Sequence, residues 1–465
     1  MKMDLREAYC PAHFGNSYEA MWPLEMARYL DDLKFWGFNR YGDWMTATDS
    51  CDPYVSDATW NLPMELLARK KDAFRHATQI GLDNNLILTP NHVYLDQLRP
   101  ELLAQKEPRV FGQLLCPSIP EARAIILDNI ARQLEDLAQS GVQLAAFTAF
   151  AYDYGGCACE KCAPWIITFA ELVSEIHDIA RQHFPDIEPW LCAWWWTPAE
   201  YDALLSWAER EKKDWLRAIV FHIPYNHTGF YETPVPEGCH KIGFIHSAYS
   251  DVVSFAHQKE EGGYHDIYGR FGPSIGAARI PQTLQNTAAQ GATGFQMYSE
   301  GVFDDVNKVL AAALASGRAA SVDEVLREYA ARYFGAGAAA AARWSQWLML
   351  WGERSGVSLE KAEREFDDLA ARADSGWRLE QWRSKLQLEK LDRAIMAGGA
   401  SWDADRLQLA AQFWAEKERL YRHVYGLGPV RHILSRRIFQ PAWYESWLQH
   451  TTPAPAQKAS LPAEA

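Results

Sequence analysis

The sequence predicts a (β/α)8 barrel over residues 1–318 and an all-helical domain over 319–450, ahead of a disordered tail at 451–465. Three observations carry that expectation. From residue 5 to about 318, short apolar runs alternate with longer stretches of helical periodicity, the mark of parallel βα units. There are eight such runs, and the GxGxxG fingerprint that many open doubly wound sheets carry is absent, so a closed barrel is favoured over the open sheet. Beyond Arg318 only helical periodicity remains. A chain of 465 residues also exceeds what one hydrophobic core usually organises.

Taken in order, the strands are expected at 5–13, 37–44, 85–91, 143–151, 188–195, 217–224, 241–248 and 293–298. A shorter run at 110–116 reads as an extra strand or part of a loop. Pro23 to Trp36 predicts the first long helix, with Pro at its start and Leu24, Ala27, Leu30 and Leu33 at helical spacing. A second amphipathic helix is expected over 118–139. In the C-terminal part, Ser321 and Glu324 have the spacing of a capping box. Further helices are expected at 339–355, 358–374, 378–396, 402–424 and 429–449, with Trp344, Trp347, Trp351, Trp377, Trp382 and Trp414 as core. The segment TTPAPAQKASLPAEA is rich in Pro and Ala and is expected to stay disordered.

The net charge of −14, with no basic run, argues against a nucleic-acid partner. No stretch of eighteen apolar residues occurs, so no membrane span is expected. The N-terminal MKMDLREAYCPAHFG lacks an apolar signal core, and a cytoplasmic protein is expected. Twenty Trp are unusual; most should be core, but an indole also offers a flat platform that suits a pyranose ring.

In a barrel of this class the chemistry sits at the C-terminal ends of the strands. Each expected strand ends in polar or aromatic residues: His13; Asp43; Asn91 and His92; Asp153 and Tyr154; Trp194, Trp195 and Trp196; His222; His246; Tyr298 and Glu300. Among the acids, Asp153 in AYDYGG and Glu300 in MYSEG each follow an apolar strand, and Asp43 is the third candidate. Each also has a structural alternative, since Asp153 could cap a turn and Glu300 the helix that opens at VFDDVNK. A metal centre of the barrel amidohydrolase type, built from His13, His92, His222 and His246, is the rival arrangement, although the HxH usual on that family's first strand is absent: AYCPAHFGN has one His only.

Cys157, Cys159 and Cys162 crowd into GGCACEKC. Without a signal peptide this crowding suits a tetrahedral Zn2+ better than a disulfide framework, with Cys116 in LLCPS as the first choice of fourth ligand and Cys192 as the second; reduced, unligated cysteines are the alternative. Four thiolates leave no open position for water, so the expected ion is structural, and no cofactor is expected in catalysis.

The segments EAYCPAHFGNSYEAMWP, YLDDLKFWGFNRYGDWM, LLCPSIPEARAI, DYGGCACEKCAPW and YSEGVFDDVNK, in that order over residues 5–310, resemble a group of glycoside-hydrolase-like barrels. The group is similar in layout to barrels of the α-glucuronidase and β-N-acetylhexosaminidase type. The resemblance implies a carbohydrate substrate and acid catalysis at the barrel mouth, where the strand-end reading makes Glu300 and Asp153 the acid and its partner, in an order left open. His13, Asn91, His92, Tyr154, Trp194, Trp195, Trp196, His222, His246 and Tyr298 would then line the sugar site. One departure matters: substrate-assisted hexosaminidases carry an adjacent Asp–Glu pair after the fourth strand, whereas Asp153 here is followed by Tyr154. A barrel that binds glycan without turnover, and a metal-dependent hydrolase or lyase, remain as alternatives. The helical domain is the expected packing partner of the barrel and a candidate dimer surface.

Overall fold

The computed structural model describes residues 2–12, 17–44, 50–57, 59–105, 114–151, 156–193, 196–211, 215–221, 234–246, 272–273, 275–299, 303–352, 358–399, 401–424 and 442–451. Eight strands run β1 Leu5–Tyr9, β2 Arg40–Trp44, β3 Asp83–Leu88, β4 Ala146–Phe150, β5 Glu188–Cys192, β6 Ala218–Phe221, β7 His240–His246 and β8 Gly294–Tyr298. They pair in chain order, all parallel, and β8 closes on β1 through Leu5 to Gly294 and Tyr9 to Tyr298. The chain is a (β/α)8 barrel.

Among the described residues the outer layer holds α1 Ser17–Ala20, α2 Pro23–Trp36, α3 Leu62–Gln79, α4 Pro120–Gln139, α5 Trp165–His183, α6 Pro198–Glu211, α7 Arg279–Ala289 and α8 Asp305–Ser316. After them come α9 Val322–Phe334, α10 Ala338–Met349, α11 Leu359–Ala370, α12 Trp377–Ala397, α13 Ala404–Val424 and α14 Tyr444–Thr451. Pro23 and Pro120 stand at helix starts, where a missing N–H costs nothing. Ser321 Oγ accepts the Glu324 N–H at 3.2 Å, as its spacing predicts. The Glu324 carboxylate, however, accepts the N–H of Ala320 at 2.8 Å, one residue before the expected partner. The run 110–116 is not a barrel strand: Leu114 and Leu115 form isolated antiparallel bridges to His92 and Leu103, and 110–113 lie outside the described residues.

Strand alternation sends Glu7, Asn85, Thr148 and Gln296 into the barrel interior, and all four are fully buried. Asn85 Nδ2 donates to Glu7 Oε2 at 2.8 Å and to Thr148 Oγ1 at 2.8 Å, while Gln296 Nε2 donates to Glu7 Oε1 at 2.7 Å. Gly42 makes room for this carboxylate, because a Cβ there would stand 2.3 Å from Glu7 Oε1. Burial pushes Glu7 up to about 7, against the opposing pull of Arg40, Asn85 and Gln296. Two residues further along the strands, toward their C-terminal ends, the lining turns apolar.

The outward strand faces and the helices form one contiguous core that continues into the helical region after residue 321. Trp344, Trp347, Trp351 and Trp382 are buried in it, with Trp377 and Trp414 packed half-buried against it. Trp36 of α2 donates its indole N–H to Tyr333 of α9 at 2.8 Å. Arg378 of α12 reaches Asp305 of α8 at 2.7 Å and Asp32 of α2 at 3.0 Å. Among the described residues no helix is long and apolar enough to cross a membrane.

Candidate active site and thiol cluster

At the C-terminal end of the barrel the interior closes with a layer of Tyr9, Trp44, Ile87, Phe150, Cys192, Val220, Phe244 and Tyr298, each buried. The rings interlock, with Tyr9 5.1 Å from Tyr298 and 6.0 Å from Phe150, and with Phe244 5.9 Å from Tyr298 and 6.3 Å from Phe150. Phe244 stacks on Tyr298 and the other three pairs are tilted or edge-on, arrangements that the ring quadrupoles favour. The layer is a buried aromatic floor under the mouth.

Of the expected site residues, His13, Asp153, Tyr154, Trp194, Trp195, His222 and Glu300 lie outside the described residues. The structure describes the backbone of His246, which ends β7 opposite Tyr298. Tyr298 sits in the aromatic floor at 2% exposure, on the underside of the mouth. Asn91 and His92 are also buried, pinned where Leu115 N–H donates to Asn91 O at 2.9 Å and His92 bridges Leu114.

Three expectations need correction. Asp43 does not face the barrel interior. Alternation in β2 sends Arg40, Gly42 and Trp44 inward, so Tyr41 and Asp43 face the helix layer. There Asp43 pairs with Lys70 at 3.2 Å and accepts the N–H groups of Ala12 at 2.8 Å and Trp44 at 2.6 Å. Burial raises its pKa, and these partners oppose the rise. With its oxygens occupied on the outer face, beside a cleft lined also by Met26 and Lys70, Asp43 holds β2 against α3. Trp196 is likewise no platform; at 4% exposure it packs in the outer core against Tyr201, with ring centroids 6.1 Å apart. Cys192 points into the barrel floor and is not part of the thiol cluster.

The motif that follows β8 has a structural logic that the sequence reading did not assign. Asp304, not Glu300, occupies the N-cap position of α8. Lys308 is completely buried and contacts Asp304 at 3.0 Å, Ser299 Oγ at 3.0 Å and the Tyr18 hydroxyl. Ser299 Oγ donates to Asp304 Oδ1 at 2.9 Å. Asn307 Oδ1 accepts the Gly276 N–H at 2.8 Å, and Asp305 turns to Arg378 and the Tyr329 hydroxyl. The polar residues on both sides of the segment 300–302 are therefore anchored. The i,i+4 spacing of Asp304 and Lys308 was the available signal.

Beside the mouth, on the β3–α4 and β4–α5 connections, the sulfurs of Cys116, Cys157, Cys159 and Cys162 all lie within 4.8 Å of one another. Cys116 Sγ is 3.6 Å from Cys162 Sγ and 3.7 Å from Cys159 Sγ. Gln105 N–H donates to Cys157 Sγ at 3.3 Å, and Ser118 Oγ stands 3.0 Å from Cys162 Sγ. Hydrogen bonding from the Cys162 thiol pulls Cys157 down to about 5, while Cys162 is pushed up in turn and burial pushes Cys116 up to about 11. Ala104, Leu114, Ile119 and Trp165 wrap the group in apolar surface.

No protein-family model matches the sequence, and no curated protein sequence matches it either. Solved structures similar in fold include an α-L-fucosidase isoenzyme 2 from Paenibacillus thiaminolyticus (TM-score 0.45, 12% identity, 68% of this chain and 49% of that one). Others are a catalytic module of a pneumococcal exo-β-D-N-acetylglucosaminidase (0.42, 10%, 79% and 97%) and a β-galactosidase from Halorubrum lacusprofundi (0.42, 13%, 67% and 58%). The chain spans about half the length of the fucosidase chain. These structural neighbours are glycoside hydrolases.

Proposed function

We propose that this protein is a glycoside hydrolase, exo-acting on oligosaccharides or glycoconjugates, with Asp153 and Glu300 as its two carboxylates. One observation carries the reading. Phe150 and Tyr298, three and two residues ahead of the two acids, are joined in one aromatic floor through Tyr9 and Phe244. The segments that bear Asp153 and Glu300 thus depart from a common apolar base at the end of the barrel where this fold builds its active sites. Glycoside hydrolysis asks for such a pair: an acid to protonate the leaving oxygen and a second group to attack or stabilise the anomeric carbon.

The test is turnover of a panel of aryl glycosides by the wild type and by Asp153→Asn and Glu300→Gln. Loss of a general acid or its partner should lower kcat by at least a hundredfold. If both variants stay within about tenfold of the wild type, the assignment of these two residues fails. Glycan binding with no turnover by the wild type would instead make the protein a binding barrel.

A further inference from the structure

We infer that Cys116, Cys157, Cys159 and Cys162 hold one Zn2+ in a closed tetrahedral site that ties the β3–α4 connection to the β4–α5 connection. This inference is independent of the hydrolase reading. It starts from distance. A Zn–S bond of about 2.3 Å sets the edge of a ZnS4 tetrahedron at about 3.8 Å. The separations of Cys116 Sγ from Cys162 and Cys159 Sγ, 3.6 and 3.7 Å, lie at that edge, and the four sulfurs span no more than 4.8 Å. They are free thiols, well beyond the bond length of about 2.0 Å that a disulfide needs. One ion fits between them, whereas an iron–sulfur cluster sets thiolates on separate irons further apart.

The surroundings suit an ion of this kind. Binding by four thiols leaves a formal charge of −2 on the site and releases the thiol protons. The Gln105 N–H aimed at Cys157 and the Ser118 hydroxyl at Cys162 are the outer-layer donors that such charge calls for. The Lys161 carbonyl oxygen, 3.1 Å from Ser118 Oγ, is the other acceptor open to that single hydroxyl proton. Gly156 lets the loop approach the indole beneath it: its φ is 96°, and a Cβ would stand 1.8 Å from Trp165. With four protein ligands and an apolar wrap, no coordination position is left for water or substrate. The ion is structural.

What it braces follows from the backbone. Leu102 O accepts the Cys116 N–H, Leu114 O accepts the Ala104 N–H, and Gln105 O accepts the Ala158 N–H, each at 2.9 Å. Of these three bonds only the last joins the two connections, whose described helical order is limited to the short 3-10 turns Leu95–Gln97, Pro100–Leu102 and Glu160–Cys162, so a metal cross-link would tie the two together. Cys116 adjoins Leu115, whose N–H holds Asn91, and Cys157 is four residues past Asp153 in the chain. Removal of the ion should therefore loosen both connections while leaving the barrel closed.

The experiment is elemental analysis of the purified, dialysed full-length protein, with Co2+ exchange as a second readout. About one Zn per chain is expected, and Co2+ should give the thiolate charge-transfer and visible bands of a tetrahedral CoS4 site. Cys159→Ser should lower the bound metal at least tenfold, while Cys51→Ser, at an exposed thiol outside the cluster, should keep it. Thiol titration in denaturant after chelation should find all eight cysteines reduced. Metal below about 0.1 equivalent in wild type grown with added zinc, bound iron in place of zinc, or a thiol count short by the cluster cysteines would overturn the proposal. Because wild-type metal content decides the matter, a variant that fails to fold leaves the test intact.

Discussion

Glu7 shows how much one side chain can reveal at the residue scale. Its carboxyl lies in the barrel interior, held by two amide donors, and burial pushes it up to about 7 from an ordinary value of 4.5. A carboxyl whose folded pKa lies above its unfolded one binds its proton more tightly in the native state. Its contribution to stability is therefore complete below pH 4.5 and is lost as pH rises toward 7, on the order of 3 kcal/mol in all. Glu7→Gln removes that titration. The difference in urea midpoint between variant and wild type should shift in favour of the variant from pH 5 to pH 8, whatever its absolute value; an identical difference at both would refute the account. Asp43 carries the opposite lesson. It looked like a strand-end acid, yet the alternation in RYGDW already set it on the same face as Tyr41. Because β2 is buried on both faces, polarity did not reveal which face was inward.

Between elements, the clearest dependence is that of α8 on α12. Arg378 lies between Asp305 and Asp32, stacked on Tyr333 at 3.8 Å and Trp377 at 4.1 Å from the ring centroids. Truncation to Ala would leave Asp305 buried without its cation, an arrangement that costs about 3–5 kcal/mol. Arg383, 43% exposed and 3.3 Å from Glu380, should cost under about 1 kcal/mol when replaced by Ala. Denaturant midpoints of the two variants measure the contrast; equal shifts would mean that the buried pair is not the anchor. The helices were legible because amphipathic periodicity and Pro or Ser at their starts are local signals: α2 spans the expected Pro23–Trp36, and α12 differs from expectation by one residue at each end. The strands were placed correctly but drawn too long, β1 ending at Tyr9 and not at 13. A strand ends where its neighbour's ladder ends, which its own residues do not encode.

For the molecule as a whole, the shared core joins barrel and helical region. Trp36, 1% exposed, packs against Tyr329 and Tyr333 of α9, and Asp32 pairs with both Arg332 and Arg378. A fragment of residues 1–318 would expose the Trp36 ring and leave Asp32 and Asp305 without their arginines. We expect it to aggregate or to lack a cooperative thermal transition, while the full chain melts in one step. A monomeric fragment with a sharp transition would show that the barrel needs no partner.

The order of strands and helices, the closing of eight βα units and the crowding of three thiols in six residues are properties of the sequence itself, since each rests on local periodicity or spacing. Which residues share a space was decided by folding. The arrival of Cys116 beside Cys157, the turning of Asp43 and Trp196 into the outer core, and the enclosure of Lys308 by Tyr18, Ser299 and Asp304 all depend on contacts between distant segments. A residue's neighbours along the chain determine its backbone preference, but its chemical partners are set by closure of the barrel and packing of the helices around it.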